Sequence, residues 1–280
     1  MRDADADLSL VWLVGLASIA IFVWMVRPAL DSRRWNVAFE LTGESILMGL
    51  LAIGFFALIF QNMLHLVPVI ILAVVVHEYG HVLAYRLAGH RAPTFRLIPF
   101  GGVAMSDEPP RNQVENAYVA LMGPGFSVIL VAGGLLATLG FAEAGMTFEA
   151  QYALEAVIVI GLLNAFNLMP FFPLDGGQTL RAIATTVGLS FAHVLTLIMS
   201  GLLVLFAVLT QTWILIFFAL IGLGAVKAVQ ARDPSTPRMG IGTAILAMAT
   251  YGAVFAVHAM ASAPVLLGLI FSALNRMPVI

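Results

Sequence analysis

Apolar runs approaching 20 residues recur from one end of this 280-residue chain to the other. A helix needs roughly 20 such residues to cross a ~30 Å hydrocarbon core, and only closed hydrogen-bonded structures survive there without water. The runs therefore predict membrane-spanning helices, at about 9–26, 46–63, 66–88, 117–140, 152–170, 190–210, 212–230 and 240–262, with a shorter apolar piece at 264–275. Composition agrees, since 61% of residues are hydrophobic, only 10% are charged and mean hydropathy is +1.01. That apolar share exceeds what a soluble domain carries.

The same composition excludes several function classes. Net charge is −2 and the basic residues are scattered singly, so no continuous basic face exists for nucleic acid. Cysteine is absent, which rules out disulfides, thiolate catalysis and Cys-ligated metal and leaves His and carboxylates as the available metal ligands. The N-terminus, MRDADADLSL, is acidic where a secretory signal would be basic, so the first span is expected to be retained.

Basic residues orient the spans, because cytoplasmic loops accumulate Lys and Arg. Arg27, Arg33 and Arg34 follow the first span, Arg86, Arg91 and Arg96 follow the third, and Arg111 precedes the fourth. Arg181, Lys227, Arg232 and Arg238 fall on the same side, whereas MRDADAD and FAEAGMTFEA (141–150) face the other way and carry mostly Asp and Glu. Arg2 and Arg276 run against the pattern. Between the third and fourth spans, Pro93 to Gln113 is apolar at its centre but too short to span and is broken by Pro99, Gly101 and Gly102. Non-helical backbone at membrane depth needs protein or a water-filled cavity around it, so a re-entrant hairpin is expected; a surface loop is the plainer alternative. QARDPSTPRMG (230–240) is the one linker-like stretch.

Chemistry concentrates in IILAVVVHEYGHVLAYRLAGH, residues 70–90. His77 and His81 are four apart, so a helix projects both imidazoles from one face toward a single ion, with Glu78 beside them as a general base. Three such groups next to VVV would be costly in lipid unless paired, metal-bound or in contact with water. Two imidazoles leave a catalytic zinc one protein ligand short. Asp175, in FNLMPFFPLDGGQTLR (166–181), is the clearest carboxylate, with Pro170, Pro173, Gly176 and Gly177 expected to end or bend the helix and turn it inward. Taken by itself, that segment also reads as a helix-ending loop with an exposed Asp. His65, His90, His193 and His258 read as satisfied interfacial or core residues.

HEYGH (77–81) followed by NLMPFFPLDG (167–176) resembles the site-2 protease family, with its H-E-x-G-H helix and later N-x-x-P…D-G segment. PFGGVAM (99–105) resembles that family's re-entrant hairpin and LMGPGFS (121–127) its G-P segment, so the resemblance covers roughly 66–187. Two positions depart from the common pattern: Ser127 stands where many members have Asn, and Phe172 separates Pro170 from Pro173. The resemblance implies His77, His81 and Asp175 as ligands of Zn²⁺ and Glu78 as catalytic base. It also suggests Asn167 as a donor to a developing oxyanion or to the substrate backbone, although a helix-packing Asn fits equally well. Gly101 and Gly102 would lie where the substrate pairs with the hairpin.

The implied fold is an all-α polytopic membrane protein: a helical bundle with a catalytic core of about three spans, a re-entrant hairpin, and extra N- and C-terminal helices. Its expected division is 1–65, N-terminal helices; 66–187, metalloprotease core; and 188–280, C-terminal helices. The implied function is intramembrane zinc-dependent hydrolysis of peptide bonds in transmembrane protein substrates, in a bacterial inner membrane with the site open to the cytoplasm. A regulatory membrane partner is compatible with this, and nucleic acid is not. The alternative is a transporter or metal permease using the His/Asp cluster as an ion site.

Overall fold

The computed structural model describes residues 2–32, 61–90, 93–98, 101–106, 108–211 and 236–264, with 47, 54 and 216 as isolated helical positions. The expected spans at 46–63 and 212–230, the apolar piece at 264–275, and Arg33, Arg34, Arg91, Lys227, Arg232 and Arg276 lie wholly or almost wholly outside these residues.

The described elements run α1 (Arg2–Ser32), a 3₁₀ turn (Gln61–Leu66), α2 (Val67–Leu87), β1 (Thr94–Ile98), β2 (Gly101–Met105), α3 (Gln113–Glu143), α4 (Thr147–Asn167), α5 (Asp175–Ala184), α6 (Leu189–Thr210) and α7 (Ile241–Ala261). Among the described residues, six helical stretches are long and apolar enough to cross a bilayer: Val11–Ala29, Leu64–Leu87, Gln113–Glu143, Thr147–Asn167, Leu189–Leu209 and Ile241–Ala261. Each corresponds to an expected span, and the protein is an integral membrane protein with a helical fold. Large apolar side chains such as Leu13, Leu16, Leu197, Leu205 and Ile245 are exposed on these helices, as a lipid solvent permits.

Local chemistry sets the helix ends. Pro68 sits in the first turn of α2, where its missing N–H has no intrahelical partner to lose. Gly89, at φ 91°, closes that helix, and the His90 N–H returns to the Tyr85 carbonyl at 3.0 Å. Asn112 caps α3 by accepting the Glu115 N–H at 2.9 Å.

The chain divides into two compact units. The first comprises Met1–Pro109, Met122–Asn164 and Val254–Ser262. Within it, helices approach closely wherever a side chain is missing. A Cβ on Gly80 would strike the Met122 carbonyl and Phe126, and one on Gly134 would meet Val157. Such small-residue contacts replace hydrophobic driving force in lipid. Phe126 also packs its ring 5.2 Å from both Phe22 and Tyr79, tying α1 and α2 to α3. The hairpin is antiparallel, with Ile98 opposite Gly101 and Thr94 opposite Met105, and both strands lie against α2. The expected hairpin is therefore a two-stranded β-ribbon, and His90 Nδ1, 2.6 Å from Ser106 Oγ, ties the segment after it to the end of α2.

The second unit comprises Pro110–Leu121, Ala165–Ala253 and Ala263–Ile280. Ala117, Ala182, Met239 and Ala244 form a buried apolar cluster within it. The Gln113 N–H donates to the Pro237 carbonyl at 2.9 Å, and Tyr251 Oη donates to the Leu168 carbonyl at 2.7 Å. The linker-like stretch thus ends pinned to the start of α3.

Candidate metal centre

His77, Glu78 and His81 occupy consecutive turns of α2 and are buried, although the helix around them is almost entirely apolar. The two imidazoles turn toward each other, with Nε2 atoms 3.0 Å apart and ring planes at 77°. Two nitrogen ligands at about 2.0–2.1 Å from one tetrahedral ion would stand roughly 3.3 Å apart, so this spacing suits a shared metal.

The tautomer of His77 follows from its surroundings. Asn164 Nδ2 donates to the Ile160 carbonyl at 2.9 Å, which leaves Oδ1 as the acceptor facing His77 Nδ1 at 2.8 Å. His77 therefore carries its proton on Nδ1 and presents a lone pair at Nε2, the atom facing His81. This is the outer hydrogen bond that metal-ligating histidines use to fix ring orientation. Asn164 is fully buried. The sequence reading singled out Asn167 and missed Asn164; the available signal was an amide in the apolar run VIVIGLLNAF.

His81 is held from the other side by an absence. A Cβ on Gly123 would overlap the His81 ring, so the glycine before Pro124 makes room for that imidazole. The LMGPGFS segment, noted in the sequence only for its pattern, has this steric reason. Ser127 Oγ turns back to the Gly123 carbonyl at 3.1 Å, satisfying its hydroxyl within the helix.

Asp175 is the first residue of α5, after Leu174 in an extended conformation, and is buried at 9% exposure. The exposed-loop alternative is thereby excluded. A carboxylate in the first turn sits where the helix dipole favours negative charge. Gly176 and Gly177 are helical here and do not form a breaking loop. A Cβ on Gly176 would strike the Leu168 carbonyl, and one on Gly177 would strike Phe171, so both let the 168–172 backbone fold back onto α5. His77 and His81 are buried in the first unit and Asp175 is buried in the second, and each is a side chain of a kind that can give a ligand atom to zinc.

Of the remaining candidates, Asn167 closes α4 half-buried, three residues beyond the amide that holds His77. Gly101 and Gly102 begin β2, opposite Ile98 and Leu97. His65 is exposed, with Nε2 3.0 Å from Glu155 Oε2, which fits an interfacial residue.

The family model of peptidase family M50 matches residues 65–160. Over 157 residues the chain is 32% identical to zinc metalloprotease MJ0392 of Methanocaldococcus jannaschii, covering 53% of this chain and 44% of that protein. Rip3 of Mycobacterium tuberculosis is 29% identical over 194 residues, covering 65% of this chain and 44% of Rip3. The chain thus spans less than half the length of these curated relatives. A solved structure, the site-2 protease from Methanocaldococcus jannaschii, aligns at 26% identity with a TM-score of 0.42, covering 69% of this chain and 90% of that one. The stretch that is similar to peptidase family M50 contains the HEYGH helix, and the similarity to zinc metalloproteases is to that part of the chain.

Proposed function

We propose that the protein is an intramembrane zinc metalloprotease that hydrolyses peptide bonds within or near transmembrane segments of membrane-protein substrates. The observation that carries this reading is the pair of buried imidazoles with Nε2 atoms 3.0 Å apart beside a buried Glu78 in a membrane-length helix. His77, His81 and Asp175 would hold the metal, a donor set of two imidazoles and a carboxylate that suits zinc. Bound zinc supplies Lewis acidity toward the scissile carbonyl and the attacking water. Glu78 takes the proton of that water and later gives it to the leaving amine, so one carboxylate serves both transfers.

A substrate helix has its amides bonded internally and must unwind before attack. The β1–β2 ribbon has two strands, so each keeps an edge outside the ribbon's own ladder, and an unwound segment could pair there by β-addition. Gly101→Val or Gly102→Val should then reduce cleavage by up to about 10²-fold, the cost of misplacing a substrate by about 1 Å, with zinc content unchanged. Unaltered cleavage by both variants would remove the ribbon from substrate binding. The basic residues argue for a site opening to the cytoplasm of a bacterial inner membrane.

Holding His77 should matter independently of catalysis. Asn164→Leu removes the Oδ1 acceptor and is expected to weaken zinc binding about 10–100-fold, whereas Asn164→Asp keeps an acceptor and recovers most of it. Chelator competition on the purified protein measures both.

The reading itself is tested by co-expression with single-span membrane proteins, comparing the wild type with Glu78→Gln. Cleavage by the wild type alone supports a protease. Ion movement that survives Glu78→Gln, with no cleavage by either protein, would instead identify an ion-transport site.

A further inference from the structure

Helix α7 lies outside the stretch matched by the family model, yet its end carries the fully buried His258. Its Nε2 lies 2.9 Å from the Pro124 carbonyl. A carbonyl only accepts, so Nε2 bears the proton and Nδ1 presents a lone pair, which has no hydrogen-bond partner among the described residues. A half-satisfied imidazole is an expensive way to fill apolar space that Leu would fill without cost. Packing alone therefore does not explain His258.

Both contacts of this turn lead to proposed metal ligands. Pro124 directly follows Gly123, the residue whose missing side chain accommodates the His81 ring. On its other side the turn sits on Gly161, where a Cβ would come within 2.9 Å of the His258 carbonyl oxygen and of Ala261 Cβ. Asn164, one helical turn beyond Gly161, holds His77 Nδ1. The imidazole and backbone of His258 thus touch the two helical turns against which His81 and His77 are seated.

We propose that His258 is a positioning residue of the metal site: its hydrogen bond to Pro124 and the seating of its turn on Gly161 hold α3 and α4 in the register that aims both imidazoles at one ion. This rests on His77, His81 and Asp175 being the zinc ligands. It makes the end of α7 part of the working site.

The test uses the full chain purified in detergent, with zinc affinity from chelator competition and the absorption spectrum of the Co²⁺-substituted protein. His258→Leu should lose roughly tenfold or more in zinc affinity and shift the Co²⁺ bands, as loss of an outer-shell contact does. His258→Gln, whose amide can still donate to Pro124, should bind zinc close to wild type. Gly161→Ala keeps the imidazole but displaces the turn, and should weaken zinc in the same direction. Wild-type affinity and spectrum in His258→Leu, or a Gln variant as weak as Leu, would overturn the proposal. If His258→Leu does not fold, Gly161→Ala decides, and unchanged zinc affinity there overturns it. A wild type that binds no zinc would defeat the metal-site reading itself, an outcome distinct from normal zinc binding in all variants.

Discussion

Glu78→Gln is expected to lower peptide-bond cleavage by about 10²–10⁴-fold, the range lost with a general acid–base group, while zinc content should stay at the wild-type level. The two halves of this result have different physical origins. Water attacking an amide must lose a proton, and the departing nitrogen must gain one. Gln has nearly the shape of Glu but cannot do either at neutral pH. Metal retention follows because the proposed ligands are His77, His81 and Asp175, and Glu78 is not among them. Cleavage of a single-span substrate and metal analysis of the same preparation read both halves. A Gln variant cleaving above about a tenth of the wild-type rate would move the base elsewhere, because losing a general acid–base group typically costs about 10²-fold or more. Loss of zinc together with activity would make Glu78 a ligand.

How much of this was legible in the sequence depended on whether the causal contact was local. The i, i+4 spacing of His77 and His81 is a property of one helix, and it delivered two rings with facing Nε2 atoms. Span positions were legible for the same reason, because lipid sorts residues by run length. The end of α4 was placed at 170 by its proline but falls at Asn167, the backbone leaving the helix before the ring can clash. Contacts between distant segments were not legible. Asn164 meets His77 across 87 positions of sequence, and nothing in its neighbours distinguishes it from Asn167. Gly123, Gly176 and Gly177 looked like pattern or loop glycines, because what occupies the space of a missing side chain is another segment's atom. His258 looked like a satisfied core residue for the same reason, its partner being 134 positions away.

Asp175→Ala should cost zinc affinity on the order of 10²-fold, and cleavage should fall with occupancy. Four-ligand structural zinc sites bind with about 10–16 kcal/mol, so one ligand corresponds to roughly 3 kcal/mol, or about two decades. Asp175 came from the sequence as the clearest carboxylate to complete a site begun by HEYGH, and the resemblance agreed; taken alone, its segment read as a helix-ending loop with an exposed acid. Its burial at the first turn of α5 changes the comparison, because an ionised carboxylate is withdrawn from water only where charge or hydrogen bonds compensate it. Asp175→Asn separates the causes. It keeps the shape and one oxygen but loses the negative charge, so a ligand role predicts weakened zinc binding for Asn as well as Ala. A purely structural role predicts that Asn restores it. Glu155→Gln, which alters an exposed carboxylate paired with His65, is the control that should leave zinc unchanged. Full zinc occupancy in Asp175→Ala, measured against the same chelator as the wild type, would remove the third ligand from the proposed site and leave two imidazoles that cannot by themselves account for a catalytic metal.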